Sequence, residues 1–175
     1  MRIKLILNSK QEQEININYN YYISSFIYRC LEEIDEELAN RIHNRGFKCN
    51  EKNYKMFTFS NLFFENYKIQ GEKIFFSGNV NLFISSPVSK ITEYLVKCIL
   101  FKDEVRIGQA ILKPVSISIP PIPQFKERME FRSISPITMS TALLKEDGRL
   151  LKRDLYIKDE RFIENIKKIY LQSMK

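Results

Sequence analysis

Two apolar stripes at helical spacing, each flanked by segments that alternate with period two, restrict the folds open to this chain. The first stripe is Ile23, Phe26, Ile27, Cys30, Leu31 and Ile34, recurring at three- and four-residue steps. The second is Val88, Ile91, Tyr94, Leu95, Cys98 and Ile99, with Pro87 at its start and Ser86 as the expected cap. Ahead of the first stripe, Ile3, Leu5 and Leu7 alternate in a short strand, followed by a polar loop over residues 8–18. Between the stripes lie a long aromatic strand over residues 55–64 and a hairpin that turns at Gln70-Gly71-Glu72. A further strand carries Val80, Leu82 and Ile84, and residues 104–119 read as extended.

That order is β-α-β-β-α-β, a split βαβ arrangement of the α+β, ferredoxin-like (RRM-like) class, and it accounts for nearly all of residues 1–119. Pro120-Pro121-Ile122-Pro123 is a stiff connector and sets the expected boundary, with one domain at 1–122 and a second unit at 123–175. The second unit opens with a strand around Met129, Phe131, Ser133 and Ser135-Pro136-Ile137. A hairpin turning at Asp147-Gly148 follows, then a helix with Phe162, Ile163, Ile166, Ile169 and Tyr170 on one face. Its opening repeats the β-α order of the first, as an incomplete second copy of the same fold would.

The stretch after the first stripe, LEEIDEELANRIHNRG, decides where the one histidine goes. A straight helix over residues 22–43 would put Tyr28 and His43 about 22 Å apart at ~1.5 Å per residue. A break at Ile34–Asp35 lets a second short helix fold back. Asp35 is a plausible cap for it, with Glu36 and Glu37 in its first turn where acids favour the dipole. Asn44-Arg45-Gly46 then ends it, with glycine in the left-handed position.

Lys+Arg outnumber Asp+Glu by 28 to 21, and the excess is spread along the chain without a basic block, which favours an anionic partner such as nucleic acid. A 44% apolar and 13% aromatic content fits a packed core. Three distant cysteines (Cys30, Cys49, Cys98) in no C-x-x-C pair read as reduced thiols, so the expected location is the cytoplasm. No window has the length of a membrane span. One histidine gives no zinc ligand set, and paired carboxylates, a P-loop, a nucleophile elbow and a dinucleotide fingerprint are all missing. The expectation is chemistry without metal or cofactor.

His43 stands at a helix C-terminus, where the dipole favours a cation, and can serve as general acid or base. Tyr28 can hydrogen-bond or transfer a proton near a phosphate, and Lys55 can neutralise charge that builds there. Arg41, Arg45, Lys48 and Lys52 surround the same loop and give a positive field for RNA phosphates. Each of these residues, taken alone, also has an ordinary structural explanation. The strand aromatics Phe57, Phe59, Phe63, Phe64, Phe75 and Phe76 read as mainly core, since no RNP consensus is present.

The segments NYNYYISSFIYRCLEEIDEELANRIHNRG, YKMFTFSNL, FFSGNVNLFISSP, RIGQA and FRSISPI, in that order and spacing, resemble the CRISPR-associated repeat-RNA endoribonucleases of the RAMP superfamily, the Cas6 family. The resemblance runs from Met1 to the last helix. It implies two tandem ferredoxin-like domains that bind CRISPR repeat RNA and cut it once without metal. The 2′-hydroxyl attacks the adjacent phosphate, leaving a 2′,3′-cyclic phosphate and a 5′-hydroxyl. It also implies His43 as general acid or base, Tyr28 as its proton-transfer or positioning partner, and Lys55 as charge stabiliser. The fold-back of the second helix becomes a requirement. Subunits of a CRISPR effector complex enter as candidate partners. Set against the family pattern, the chain reads as shortened at its C-terminus, before the glycine-rich loop of the second domain.

Two rivals belong to other classes. One is a non-catalytic RNA-binding or complex-assembly protein of the same fold. The other is a homodimer formed through the apolar Phe162, Ile166 and Ile169 face.

Overall fold

Strand β1 (Arg2–Asn16) runs well beyond the opening alternation, through residues expected to form a loop. Ile3, Leu5, Leu7 and Ile15 are fully buried on one face, and the polar half persists because its neighbour holds it. Positions 13–16 pair with residues 73–76 after a register shift between Ser9 and Gln13. A strand defined by its partner leaves little trace in its own hydropathy.

The computed structural model describes residues 1–49, 52–122, 124, 126–130, 132–135, 139–144 and 149–165. After β1 come α1 (Asn20–Ile34), α2 (Glu36–Asn40) and a π-helical turn (Arg41–Arg45). The loop that Lys48 and Lys52 were expected to surround is a small hairpin of β2 (Phe47–Cys49) and β3 (Lys52–Tyr54). The expected aromatic strand is broken: residues 55–57 are irregular, followed by β4 (Thr58–Phe59) and β5 (Phe63–Gln70). β5 holds the first half of the expected hairpin and turns through Gly71 into β6 (Lys73–Ser85), which joins the second half to the expected strand of Val80, Leu82 and Ile84. α3 (Ser89–Leu100) follows. Val88 is its N-cap, while the Ser86 hydroxyl, two residues earlier, accepts from the Val88 N–H at 3.0 Å. The extended run after α3 is a hairpin of β7 (Val105–Ile107) and β8 (Ala110–Ser118).

The sheet order is β4–β6–β1–β8–β7 with β5 also on β6, and every pairing is antiparallel. With β4 and β5 counted as one strand position and β7–β8 as another, this is the ferredoxin-like order. α1 and α3 lie on one face, where Ile23, Ile27 and Leu31 meet Ile91, Leu95 and Ile99 over the inward residues of β1 and β6. Each such buried side chain contributes about 1.5–3 kcal/mol relative to exposure. Cys30 and Cys98 are buried free thiols on those two helices. The strand aromatics divide: Phe76 is buried, Phe57, Phe59, Phe64 and Phe75 are half-buried, and Phe63 is exposed.

The chain divides into two compact units, Met1–Glu130 and Phe131–Lys175. In the second, β9 (Met139–Leu144) pairs with β10 (Leu150–Leu155), and a helix begins at residue 160 with Phe162 buried. Met129 and Ser133 are not in a strand. The expected strand residues Phe131, Pro136 and Ile137, the turn Asp147-Gly148, and helix residues Ile166, Ile169 and Tyr170 lie outside the described residues. Among the described residues no helix is long and apolar enough to cross a membrane.

Candidate active site

α1 carries a second stripe besides its buried one. Tyr21, Ser24, Ser25, Tyr28 and Glu32 recur at helical steps and border a cleft of ≈ 400 Å³ that is closed by Ala39, Asn40 and His43. The break at Asp35 makes this possible. Its backbone leaves the helical region (φ −153°, ψ 89°), and its carboxylate accepts from the Leu38 N–H at 2.8 Å to start α2. Lys90 on α3 holds the other carboxylate oxygen at 3.2 Å. α2 then folds back with Leu38 and Ala39 buried.

The π-helical turn sets the final orientation of His43. Ile42 is buried and anchors the turn, which leaves His43 exposed beside α1. The His43 and Tyr28 rings meet edge to face, with centroids 5.0 Å apart. Phe57 packs on another edge of Tyr28 at 5.5 Å. Burial raises the Tyr28 phenol above its ordinary pKa, so it keeps its proton at neutral pH. His43 Nδ1 lies 3.1 Å from the Asn44 Oδ1, an acceptor that favours the tautomer with its proton on Nδ1.

Lys55 arrives from the other side of the turn. Its Nζ donates to the Ile42 carbonyl at 3.0 Å and to the His43 carbonyl. These are orphan acceptors at a helix C-terminus, where a cation is favoured. An ammonium has three donors, so one proton of Lys55 is left to face a ligand. Two backbone features aim these groups. Gly46 closes the turn, its N–H donating to the Arg41 carbonyl at 2.8 Å. Its φ of 65° is positive as expected, but its ψ of −166° lies in the glycine-only extended region rather than the left-handed helical one. A Cβ there would sit 2.8 Å from the Tyr54 carbonyl oxygen. Met56, directly after Lys55, has φ 58°, the only positive φ outside glycine among the described residues. The Ser86 hydroxyl fixes it by donating to the Met56 carbonyl at 2.6 Å.

Tyr28, His43 and Lys55 are thus brought together. Arg41 and Arg45 are exposed on the same turn, Arg41 over the Phe47 ring at 5.8 Å. Lys48 and Lys52 sit on the two strands of the β2–β3 hairpin, and their side chains fall outside what the structure describes. The cleft adds Tyr21, Ser24, Ser25, Arg29 and Glu32, none of them among the residues expected from sequence. Their three- and four-residue recurrence was visible as a stripe of polar groups and tyrosines. Among the described residues no group of three or more His, Cys, Asp or Glu is placed to hold a metal ion.

A family model described as CRISPR-associated protein Cas6, N-terminal, matches residues 14–113. A protein named CRISPR-associated endoribonuclease Cas6 1, from Methanocaldococcus jannaschii, is 33% identical over 95% of this chain, and the chain spans 63% of that relative's length. A putative CRISPR-associated endoribonuclease-like protein Cas6 from Pyrococcus furiosus is 31% identical over 98% of the chain and 68% of its own. Among solved structures, one titled CRISPR associated protein Cas6 aligns with a TM-score of 0.71 at 33% identity, covering 97% of this chain and 70% of its own. Another, titled an RAMP protein binding different RNA substrates, aligns at 0.77 and 26% identity, covering 97% and 68%.

Proposed function

Because the chain belongs to the CRISPR-associated Cas6 family, we propose that it is an endoribonuclease that cuts CRISPR repeat RNA at the cleft between α1 and the π-turn. The observation that carries this reading is the edge-to-face pair of Tyr28 and His43, with Lys55 gripping the same turn.

The reaction needs no group beyond these side chains. His43 Nε2 takes the proton of the 2′-hydroxyl, whose oxygen attacks the adjacent phosphorus. The bond to the 5′ oxygen breaks, and that oxygen leaves with the Tyr28 proton as a 5′-hydroxyl. The product strand ends in a 2′,3′-cyclic phosphate, and one proton returns from His43 to Tyr28 through water. The remaining donor of Lys55 faces the charge that builds on the phosphate. Arg41 and Arg45, with Lys48 and Lys52 on the hairpin beside them, supply the field that attracts the strand.

The test is incubation of the full chain with repeat RNA in EDTA, wild type beside His43→Ala. Cutting by the wild type alone, with cyclic-phosphate ends, is the expected result. Binding without cutting by either protein would replace the nuclease with a non-catalytic RNA-binding member of the same fold.

A further inference from the structure

Arg29 borders three adjoining depressions on the α1 side of the first unit. One is the ≈ 400 Å³ cleft shared with Tyr28 and His43. A second, of ≈ 210 Å³, lies against the β7–β8 turn at Gly108 and Gln109. The third, of ≈ 180 Å³, is lined by both signs of charge, Lys102 and Arg106 with Glu33 and Glu104, and so is not the anion's seat. The Arg29 Nη2 donates to the Arg106 carbonyl at 2.7 Å. That tether holds the guanidinium plane, the Glu33 carboxylate is its electrostatic neighbour on the third depression, and the fork has further N–H donors to turn toward the Ser25 side.

Ser25 lines the first two depressions with Arg29. Tyr21 borders the first and is 76% exposed, so its ring does no packing in the core. The β7–β8 turn sits tightly on the neighbouring part of α1: a Cβ on Gly108 (φ 62°) would lie 2.7 Å from the Tyr22 ring. The strip is therefore shaped by backbone on one side and helix on the other. It offers a π-face, a hydroxyl and a fixed cation in a line that ends at the Tyr28–His43 pair. Glu32, the one acid of the large cleft, repels phosphate at its own end, which leaves the Ser25–Arg29 end for an anion.

We propose that this strip seats the nucleotide next to the scissile phosphate, with its base on the Tyr21 ring and its own phosphate held by the Ser25 hydroxyl and the Arg29 guanidinium. The proposal rests on the ribonuclease reading above, and assigns the site a substrate subsite. A single strand is flexible, and a tethered arginine orders less on binding than a free lysine does. Stacking tolerates any base, so the subsite fixes position along the strand rather than sequence.

The experiment measures repeat-RNA binding by the full chain against salt concentration, in a His43→Ala background that leaves the RNA intact. Arg29→Ala should weaken binding on the order of tenfold and lower the log–log salt slope by about 0.7, the release expected for one single-strand phosphate. Arg29→Lys should restore the slope. Tyr21→Ala should weaken binding on the order of tenfold and Tyr21→Phe should not. An abasic nucleotide next to the cut should erase the difference between the unsubstituted chain and Tyr21→Ala. Unchanged affinity and slope in Arg29→Ala would overturn the subsite, as would a loss that follows a lower melting temperature with the slope intact. Failure of the wild type to cut RNA it binds would overturn the nuclease reading instead, while the Arg29 comparison would still decide the subsite. A chain that binds no repeat RNA would overturn both.

Discussion

The His43 ring meets the Tyr28 ring edge to face at a centroid distance of 5.0 Å, although the two side chains belong to different helical elements. Neither is needed to hold the other's element in the core, since Ile27 and Ile42 do that from the buried side. The pair is free to be chemical.

His43→Ala should therefore slow cleavage about 10²- to 10⁴-fold, the usual worth of a positioned acid or base, and leave the melting temperature near that of the wild type. A parallel fall in melting temperature would assign His43 to structure.

Tyr28→Phe tests the donor. Burial raises the pKa of this phenol, so the protonated form survives past the ordinary tyrosine value of about 10. Activity should accordingly hold through neutral and mildly alkaline pH and decline only above that value. Tyr28→Phe should be slower on the plateau and lack the alkaline decline. A wild-type profile that falls with an apparent pKa well below 10 would rule out Tyr28 as the proton donor.

Lys55→Ala should differ from His43→Ala by costing stability as well as rate. It leaves the Ile42 and His43 carbonyls without their cation, a loss of about 1 kcal/mol for an exposed charge-assisted pair. Urea unfolding measures that loss. Lys55→Arg should recover more of the stability than of the cleavage rate, because a planar fork cannot reproduce the ammonium's third direction.

Gly46→Ala should destabilise the first unit. The backbone conformation there is open only to glycine and costs other residues about 1–3 kcal/mol, and the new Cβ would press on the Tyr54 carbonyl. Loss of cleavage together with a lower urea midpoint is the expected outcome. An unchanged midpoint would show that the turn relaxes at no cost.

The α1–α3 contact should weaken in acid. Lys102 holds the Glu33 carboxyl below its ordinary pKa, and the Leu38 N–H does the same, most strongly, for Asp35. Carboxyls depressed in the folded chain stabilise it above their unfolded values near 4, and that contribution is lost as pH falls through the lower folded values. The melting temperature should drop below about pH 4, and Asp35→Asn should flatten that drop. An equally steep fall in Asp35→Asn would place the acid sensitivity elsewhere.

Much of this was readable in the residues. The two stripes placed α1 and α3. The acidic cap placed the break at Asp35, because a cap is a local interaction. Tyr28, on the flank of the first stripe, and His43 and Lys55, at element ends, were candidates from position and from the resemblance, and the fold brings them to one turn. What escaped was set by partners distant in sequence. The polar end of β1 is a strand because β6 lies beside it. The β2–β3 hairpin has too few apolar residues to announce itself. Residues 55–57 leave the sheet at Met56, whose φ of 58° is no strand conformation and whose carbonyl accepts from the Ser86 hydroxyl. The stripe through Tyr21, Ser25 and Tyr28 has the same helical spacing as the core face, but its mixture of hydroxyls and tyrosines gives it no hydropathic contrast.

A π-turn holds one residue more than an α-turn, which makes the Arg41–Arg45 segment sensitive to length in a way that α1 is not. Deleting a single residue there would let the ladder relax into ordinary helix. Every side chain beyond the gap would swing by about 100° around the axis. With Ile42 still claimed by the core, His43 could not face both solvent and Tyr28. The position of the histidine is thus encoded in the number of residues as well as in their identity, and a chain that kept every site residue but lost one of their neighbours would have all the parts and no site.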